Sequence, residues 1–376
     1  MVSYRYLVVG GGMTGDAVCR GIRDVDPDGT VGLVGEEEHP PYKRPPLTKG
    51  LWKGGSEEKI WRGTSDLGVD LRLGRRIVSL DPAARRAADD AGEEYAYEKV
   101  VLATGGTPRR LPGDRDAIYF RTLDDYRLLR ALSDEGGRFL VVGGGFVGSE
   151  IAAALRAQGR EVTMVFPEPG IGWRTFPPDL AGFVTGYYRE QGVDVRTETF
   201  FESADGFDAV VAGLGIVPRT ELAEAAGLEV DDGIVVDDRG RVDGRDDLFA
   251  AGDVANFPIG ALGRMGRVEH EDHANTHGRL VGRNAAGADE RYDHLPFFYS
   301  DLFDLGYEAV GEVDARNETV ELWLEPHRKG IVGFVDDERR PRGFLLWNVW
   351  DKVDPARGLI RAAQPIGEDA LRELAG

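Results

Sequence analysis

Apolar and polar positions fall into a pattern that occurs twice along the chain. The apolar run Leu7-Val8-Val9 reads as a strand and ends at Gly10-Gly11-Gly12-Met13-Thr14-Gly15, after which residues 16–23 suit a helix. A second apolar run over 30–34 follows and closes at Glu36. The same order returns at Phe139-Leu140-Val141-Val142, which enters Gly143-Gly144-Gly145-Phe146-Val147-Gly148; a helical stretch over 149–158 and an apolar run over 161–166 lead to Glu168. Strand, glycine turn, helix and strand predict βαβ units with parallel strands. Between the two repeats, alternating segments over 69–88 and 94–97 suggest an antiparallel excursion. The apolar run 100–103 then stops at Thr104-Gly105-Gly106-Thr107-Pro108, a sharp turn at a strand's carboxyl end, where ligands bind in open α/β sheets. Beyond the second repeat the pattern predicts a helix over 181–191, a strand over 209–212 closing on Gly213-Leu214-Gly215, and a strand over 248–255 containing Asp253. From about residue 295 it changes to short alternating strands at 308–313, 320–324, 330–335 and 344–349, with a closing helix over 369–374.

The expected fold is α/β, with two Rossmann-like dinucleotide-binding domains, each with an antiparallel excursion, plus a small C-terminal α+β domain. Leu111-Pro112-Gly113-Asp114 marks a first boundary, and the strand at 248 returns the chain to the first domain. The expected domains are therefore 1–115 with 246–294, 116–245, and 295–376.

Each glycine in the G-x-G-x-x-G turn has a separate use. The first permits the tight turn, the second admits a pyrophosphate to the backbone, and the third lets helix and strand pack closely. Phosphates sit on the helix N-terminus, where free N–H groups and the dipole favour negative charge. One such turn also suits an ordinary βα connection. Its repetition, with Glu36 and Glu168 placed to accept ribose hydroxyls, argues for two dinucleotides, which an enzyme passing a hydride between them needs. The segment His39-Pro40-Pro41-Tyr42-Lys43-Arg44-Pro45-Pro46-Leu47-Thr48-Lys49-Gly50 is too rich in proline for helix or central strand and is a fixed, extended loop. It either leaves Arg44 and Lys49 solvated or aims them at a cofactor.

Composition narrows the setting. No apolar run approaches the ~18 residues of a membrane span and no signal-peptide pattern precedes the first strand, so a cytoplasmic protein is expected. The single cysteine, Cys19, rules out internal disulfides and a Cys-x-x-Cys pair within the chain and reads as a small buried residue. The net charge is −20 and only seven basic residues are lysines. A halophilic protein, working in salt that screens its charge, and a merely acidic one both fit; the scarcity of lysine favours the first. Nucleic acid, which needs a basic footprint, is excluded as a partner.

The glycine turns, Pro41-Tyr42-Lys43-Arg44-Pro45-Pro46-Leu47-Thr48-Lys49, Ala103-Thr104-Gly105-Gly106-Thr107-Pro108-Arg109, Ala251-Gly252-Asp253-Val254-Ala255, Arg267-Val268-Glu269-His270-Glu271-Asp272-His273-Ala274 and Tyr299-Ser300-Asp301 stand in order along nearly the whole chain. Together they resemble the FAD- and NAD-dependent pyridine nucleotide-disulphide oxidoreductases, in the branch of NADH-dependent ferredoxin reductases and apoptosis-inducing factors. The resemblance implies FAD at Gly10, Gly12, Met13, Thr14 and Gly15, with Glu36 on its ribose, Arg44, Ile77, Thr104, Gly105 and Arg109 around it, and Asp253 on the ribityl chain. It places Glu269 and His270 at the flavin ring, at a helix start that stabilises the negative charge of reduced flavin. Lys49 would lie near flavin N5 and pair with Glu150. NADH would use Gly143, Gly144, Gly145, Val147 and Gly148, with Glu168 favouring it over NADPH, Arg174 weakening that preference, and Gly215 and Glu308 as further contacts. Phe146 would cover the flavin until nicotinamide displaces it, and Tyr299 stands where relatives often carry tryptophan.

Sister families place cysteines against the flavin; here Pro45-Pro46-Leu47 and the Gly12-Met13-Thr14-Gly15 turn have none. Electrons must therefore leave singly to a partner, or go to a diffusible acceptor. The resemblance implies an FAD-dependent NADH oxidoreductase, monomeric or homodimeric, with a ferredoxin-like iron–sulfur protein as acceptor and a quinone or oxygen as alternatives. Its rival is a redox-sensing interaction protein like the apoptosis-inducing factors, against which the short third domain argues. His270, His273 and His277 share one helical face and raise a metal reading, set against a flavin-facing helix start with ordinary histidines behind it; no metal is expected.

Overall fold

The computed structural model describes residues 1–113 and 116–376. Asp114 and Arg115, where the sequence puts the first domain boundary, lie outside the described residues. The chain divides into two compact units. The first comprises Met1–Arg44, Ser56–Thr107 and Val217–Pro296, and the second Pro45–Gly55, Pro108–Ile216 and Phe297–Gly376.

In the first unit, Val2–Val9 pairs in parallel with Val31–Gly35 on one side and Glu94–Leu102 on the other. Leu248–Ala250 also pairs in parallel with Glu94–Leu102. The antiparallel excursion is confined to Ile77–Asp81, Arg86–Asp89 and the start of Glu94–Leu102, because Asp70–Leu73 instead extends the sheet in parallel beyond Val31–Gly35. Alternation reports that one face is wet, as in this exposed outer strand, and not the direction of the neighbour. The strand expected over 248–255 breaks after Ala250 and resumes as Ala255–Ile259. Gly252 causes the break: its φ is +73°, and an added Cβ would lie 2.2 Å from Thr14 Oγ1.

Helices Met13–Val25 and Glu271–Ala285 pack against each other, with Arg279 Nε bonded to Asp24 at 2.7 Å. Their buried faces meet Tyr6, Val8, Leu33, Val101 and Phe249 in one hydrophobic core. Cys19 sits wholly buried in that core, where desolvation pushes its thiol pKa well up.

The second unit contains a parallel sheet in which Arg138–Val142 lies between Glu161–Val165 and Ala209–Ala212, with Asp194–Arg196 and Ile118–Tyr119 at the edges. Helix Phe146–Ala157 follows the central strand. Helix Leu123–Glu135 begins with a capping box, in which Thr122 and Asp125 satisfy each other's backbone N–H. The C-terminal part of this unit is a five-stranded antiparallel sheet in the order Phe297–Leu302, Leu305–Gly311, Pro341–Trp347, Lys329–Val335, Glu318–Glu325. Helices Val353–Ala362 and Glu368–Ala375 pack on it. The whole is the expected α/β architecture with a C-terminal α+β part. Among the described residues no helix is long and apolar enough to cross a membrane.

Candidate functional site

The first glycine turn is closed so tightly that its outer glycines admit no side chain. A Cβ on Gly10 would stand 2.1 Å from Ala103 O and one on Gly15 2.0 Å from Gly10 O, whereas one on Gly12 would meet only Arg44 Nη2, at 4.0 Å. Open space at the middle glycine over a helix N-terminus is what a pyrophosphate requires. Met13 and Thr14 open the helix and are buried, and Met13 Sδ accepts the Arg44 N–H at 3.4 Å. One turn along, the wholly buried Asp16 accepts from Arg62 Nε at 2.5 Å, Thr64 Oγ1 at 2.7 Å and Arg20 Nε at 2.9 Å, which fixes the helix in place.

Glu36 follows directly on Val31–Gly35 and is half exposed, with Arg219 Nη1 hydrogen-bonded to it. Thr104 and Gly105 hold Arg219 by its backbone, Thr104 Oγ1 donating to Arg219 O and Arg219 N–H to Gly105 O, both at 2.9 Å. Arg44 donates to Glu37 Oε1 at 2.5 Å and to Tyr42 Oη at 3.2 Å. Ile77 is buried in its strand, and Asp253 follows the Gly252 turn.

His270 is the N-cap residue of Glu271–Ala285, so Glu269 and His270 do stand at a helix start. Burial lowers the His270 pKa to about 4, and Arg267 Nη1 holds Glu269 at 2.5 Å. His273 and His277 lie farther along that helix, wholly buried and stacked on each other, with His273 also stacked on Phe257 and His277 tilted against it. His273 Nδ1 is 3.1 Å from Tyr292 Oη, and His277 Nδ1 accepts the Gly252 N–H at 3.3 Å, so these imidazoles are neutral core groups. Among the described residues no group of three or more histidines, cysteines and carboxylates is placed to hold a metal ion.

The second unit repeats the glycine geometry. A Cβ on Gly148 would stand 2.1 Å from Gly143 O, one on Gly143 2.4 Å from Gly213 O, and one on Gly145 would meet nothing within 4 Å. Gly144 packs against the Phe166 ring, and Gly215, at φ +79°, accepts the Arg109 N–H at 3.0 Å through its carbonyl; the Arg109 side chain is exposed. Phe146 and Val147 begin the helix partly exposed, with the Phe146 ring tilted against Phe298 at 5.1 Å. Glu168 lies just past Glu161–Val165, and Arg174 reaches it only at 3.5 Å from a largely solvated position, so that pair contributes little.

On the next turn of this helix Glu150 is buried. Its Oε1 accepts from Lys49 Nζ at 2.6 Å and Ser300 Oγ at 2.5 Å, and its Oε2 from Thr48 Oγ1 at 2.5 Å. The proline-fixed loop thus delivers two donors to one carboxylate. Lys49 Nζ also stands 5.3 Å over the half-exposed Tyr299 ring. Glu308, opposite Tyr299 across the hairpin, has a pKa raised by burial. Arg219, Thr48 and Ser300 were not among the residues expected from sequence. Thr48 and Ser300 had a signal, being neighbours of Lys49 and Tyr299 in the quoted motifs; Arg219, 183 residues from Glu36, had none.

Two glycine cradles, each followed by a carboxylate just past the next parallel strand, together with a buried lysine–glutamate pair, are the features of a two-dinucleotide α/β oxidoreductase. Residues 4–278 match the pyridine nucleotide-disulphide oxidoreductase family, and the chain belongs to it. Enzymes of this family use FAD and NAD(H), and this chain is an NAD(P)H-dependent flavin oxidoreductase of the ferredoxin reductase type. It is 34% identical to the ferredoxin–NAD(+) reductase component of the anthranilate 1,2-dioxygenase system of Burkholderia cepacia, over 95% of this chain and 94% of that one. It is 30% identical to mitochondrial apoptosis-inducing factor 1 of Dictyostelium discoideum, over 95% and 78% respectively. The covalent putidaredoxin reductase–putidaredoxin complex contains a chain of the same fold, with a TM-score of 0.90, 26% identity, and coverage of 100% of this chain and 96% of that one.

Proposed function

We propose that the chain passes a hydride from NADH to FAD and the resulting electrons, one at a time, to a ferredoxin-like iron–sulfur protein. FAD would occupy the first cradle (1–115 with 246–294) and NADH the second (116–245), with 295–376 completing the acceptor side. The balanced reaction is NADH plus two oxidised ferredoxins giving NAD+, a proton and two reduced ferredoxins. The observation that carries this reading is Cys19: the chain's one thiol is wholly buried in a hydrophobic core, so the chain offers no dithiol to take up the electron pair. The relatives named as ferredoxin reductase components support it.

The flavin supplies the electron relay. The chain's own residues supply the rest. The glycine turns and helix N-termini hold pyrophosphates, and Glu36 and Glu168 accept ribose hydroxyls. Glu150, Thr48 and Ser300 fix the Lys49 ammonium, a positive charge that favours a neighbouring group as it becomes negative. Phe146, partly exposed at the helix start, would be the side chain that covers a bound flavin and gives way to nicotinamide.

The test is stopped-flow reduction of the holoprotein by NADH, followed by mixing with [2Fe–2S] ferredoxins. Rapid reoxidation with one-electron stoichiometry supports the reading; flavin that stays reduced until oxygen or a quinone is added overturns it. The likeness to an apoptosis-inducing factor favours a second reading, a redox-sensing protein with slow oxidoreductase activity. Its signature is a long-lived charge-transfer band after NADH addition.

A further inference from the structure

In the first unit the strand Val2–Val9 lies between Val31–Gly35 and Glu94–Leu102, all parallel, and Val9 stands level with Val34 on one side and Leu102 on the other. Two residues further on, that row becomes Glu36, Gly11 and Thr104, at the carboxyl ends of the strands where the first glycine turn opens. Neighbouring strands are about 4.8 Å apart, so Glu36 and Thr104 face each other across roughly 10 Å with the cradle between them. Arg219 spans this gap. Its carbonyl accepts from Thr104 Oγ1 and its N–H donates to Gly105 O, both at 2.9 Å, which fastens its backbone to one bank. Its guanidinium Nη1 donates to Glu36 Oε2 on the other. The helix that follows, Glu221–Ala225, packs on Ile77–Asp81, so the backbone is held on both sides of Arg219.

The pair does little for the fold. Arg219 and Glu36 are 36% and 48% exposed, and an ion pair so open to water contributes little to stability. Its charge has another use. Glu36, Glu37 and Glu38 follow one another beside a turn suited to a dianionic pyrophosphate. Arg44 takes Glu37 at 2.5 Å, and its Nη2 comes within 4.0 Å of where a Cβ on Gly12 would stand. Arg219 takes Glu36 from the opposite bank. Each cation offsets a carboxylate that a phosphate group would otherwise meet unbalanced. The bond to Arg219 uses Glu36 Oε2, which leaves Oε1 to accept ribose hydroxyls. A guanidinium is also flat, and a nucleobase stacks on its plane.

We infer that Arg219 is a clasp for the cofactor: it lifts from Glu36 to admit the adenosine half of FAD, then closes back across the cradle and retains it. This rests on the FAD reading of the first cradle and adds the residue that keeps FAD there. Because Thr104 and Gly105 pin the backbone, only the side chain has to move, and it returns to the same carboxylate each time. One nitrogen serves Glu36 while the flat face remains for the base, a division that a lysine ammonium cannot make. The bond to Glu36 must break before the adenosine leaves, so the clasp acts on the rate of FAD release rather than on the rate of its capture.

The test follows FAD release from the holoprotein after large dilution, read as the rise in flavin fluorescence, with unfolding midpoints of the FAD-loaded and FAD-free proteins measured alongside. Arg219→Ala should release FAD about tenfold faster. Arg219→Lys, which keeps the charge without the flat face, should fall between the two. The FAD-free midpoint should stay where it is, so that only the increment FAD adds to stability shrinks. An unchanged release rate in Arg219→Ala would overturn the clasp and leave FAD in its cradle. Faster release matched by an equal drop in the FAD-free midpoint would also overturn it, by making Arg219 a structural residue. A folded, unaltered protein that takes up no FAD would overturn the cradle itself, and the clasp with it.

Discussion

Removing Lys49 should destabilise the second unit, and removing Glu150 as well should add almost nothing. The side chains of Lys49 and Glu150 are 13% and 6% exposed and meet at 2.6 Å. Breaking a buried pair by deleting one partner costs about 3–5 kcal/mol, because the other charge is left uncompensated. In Lys49→Ala the carboxylate keeps Thr48 and Ser300, and hydrogen bonds to a charged group contribute about 1.5–3 kcal/mol each, so the cost falls to about 2–3 kcal/mol. Glu150→Ala leaves an ammonium that retains some water and the Tyr299 face 5.3 Å away, and should cost about 1–2 kcal/mol. The double variant contains no unpaired charge and should resemble Lys49→Ala alone, a coupling of about 1–2 kcal/mol. Urea unfolding of the four holoproteins measures this cycle. In parallel, flavin reduction by NADH should slow and the flavin potential should fall in Lys49→Ala, with NADH affinity changed less. Strict additivity in the unfolding cycle would show that the pair does not act as a unit and would refute the reasoning.

Purified protein should be yellow, with FAD equimolar to the chain, and Gly15→Ala, whose Cβ would lie 2.0 Å from Gly10 O, should lose it; a folded preparation that takes up no FAD would refute the first cradle. NADH should be preferred to NADPH, and Glu168→Ala should narrow the preference roughly tenfold, the equivalent of one lost hydroxyl–carboxylate bond; equal kcat/KM for both nucleotides in the unaltered protein would show Glu168 to be misplaced. Burial holds His270 and His277 at pKa values of about 4 and 3, below the ordinary 6.5, so the unfolded chain binds more protons in acid. Stability should therefore fall as pH drops below 6.5, with the loss complete near pH 3, and His277→Gln should flatten the slope; the same slope in that variant would count against it. With 66 acidic against 46 basic residues, stability should rise with salt; full stability at low salt would remove the halophilic reading and leave the enzymatic one.

What was legible in the sequence is what short-range geometry dictates. Gly10 and Gly15, or Gly143 and Gly148, touch across a single turn, so their spacing shows in the chain itself, and Glu36 and Glu168 stand where the next strand must end. The strand Phe297–Leu302 escaped because its sequence, Phe-Phe-Tyr-Ser-Asp-Leu, puts apolar side chains on both faces. One face packs inward and the other carries rings capped by cations, so hydrophobicity does not alternate although the side chains do. Helix Val353–Ala362 escaped because Pro355 reads as a breaker, yet a proline in the first turn lacks only an N–H that has no intrahelical partner. Ser300 lies 150 residues from Glu150, and nothing local announces their contact.

The choice of basic residue differs between two of the buried carboxylates, Asp16 and Glu150. Only seven of the 46 basic residues are lysines, so arginine is this chain's default cation. Asp16, which fixes the first helix, follows the default: Arg20 grips it with two nitrogens, at 2.9 and 3.2 Å, and Arg62 with a third at 2.5 Å. A planar fork directs its donors at one acceptor, and Asp16, with a hydroxyl on Oδ1 alone, leaves room for it. Glu150 offers no free edge, since Ser300 already donates to Oε1 and Thr48 to Oε2. The ammonium of Lys49 needs only one direction to Glu150 and keeps its remaining N–H donors for another acceptor. A residue meant solely to neutralise Glu150 would not require that spare capacity. A residue meant to be held by Glu150 while presenting positive charge to a cofactor would, and of the two basic side chains the compact ammonium is the one that can do both from a single buried position.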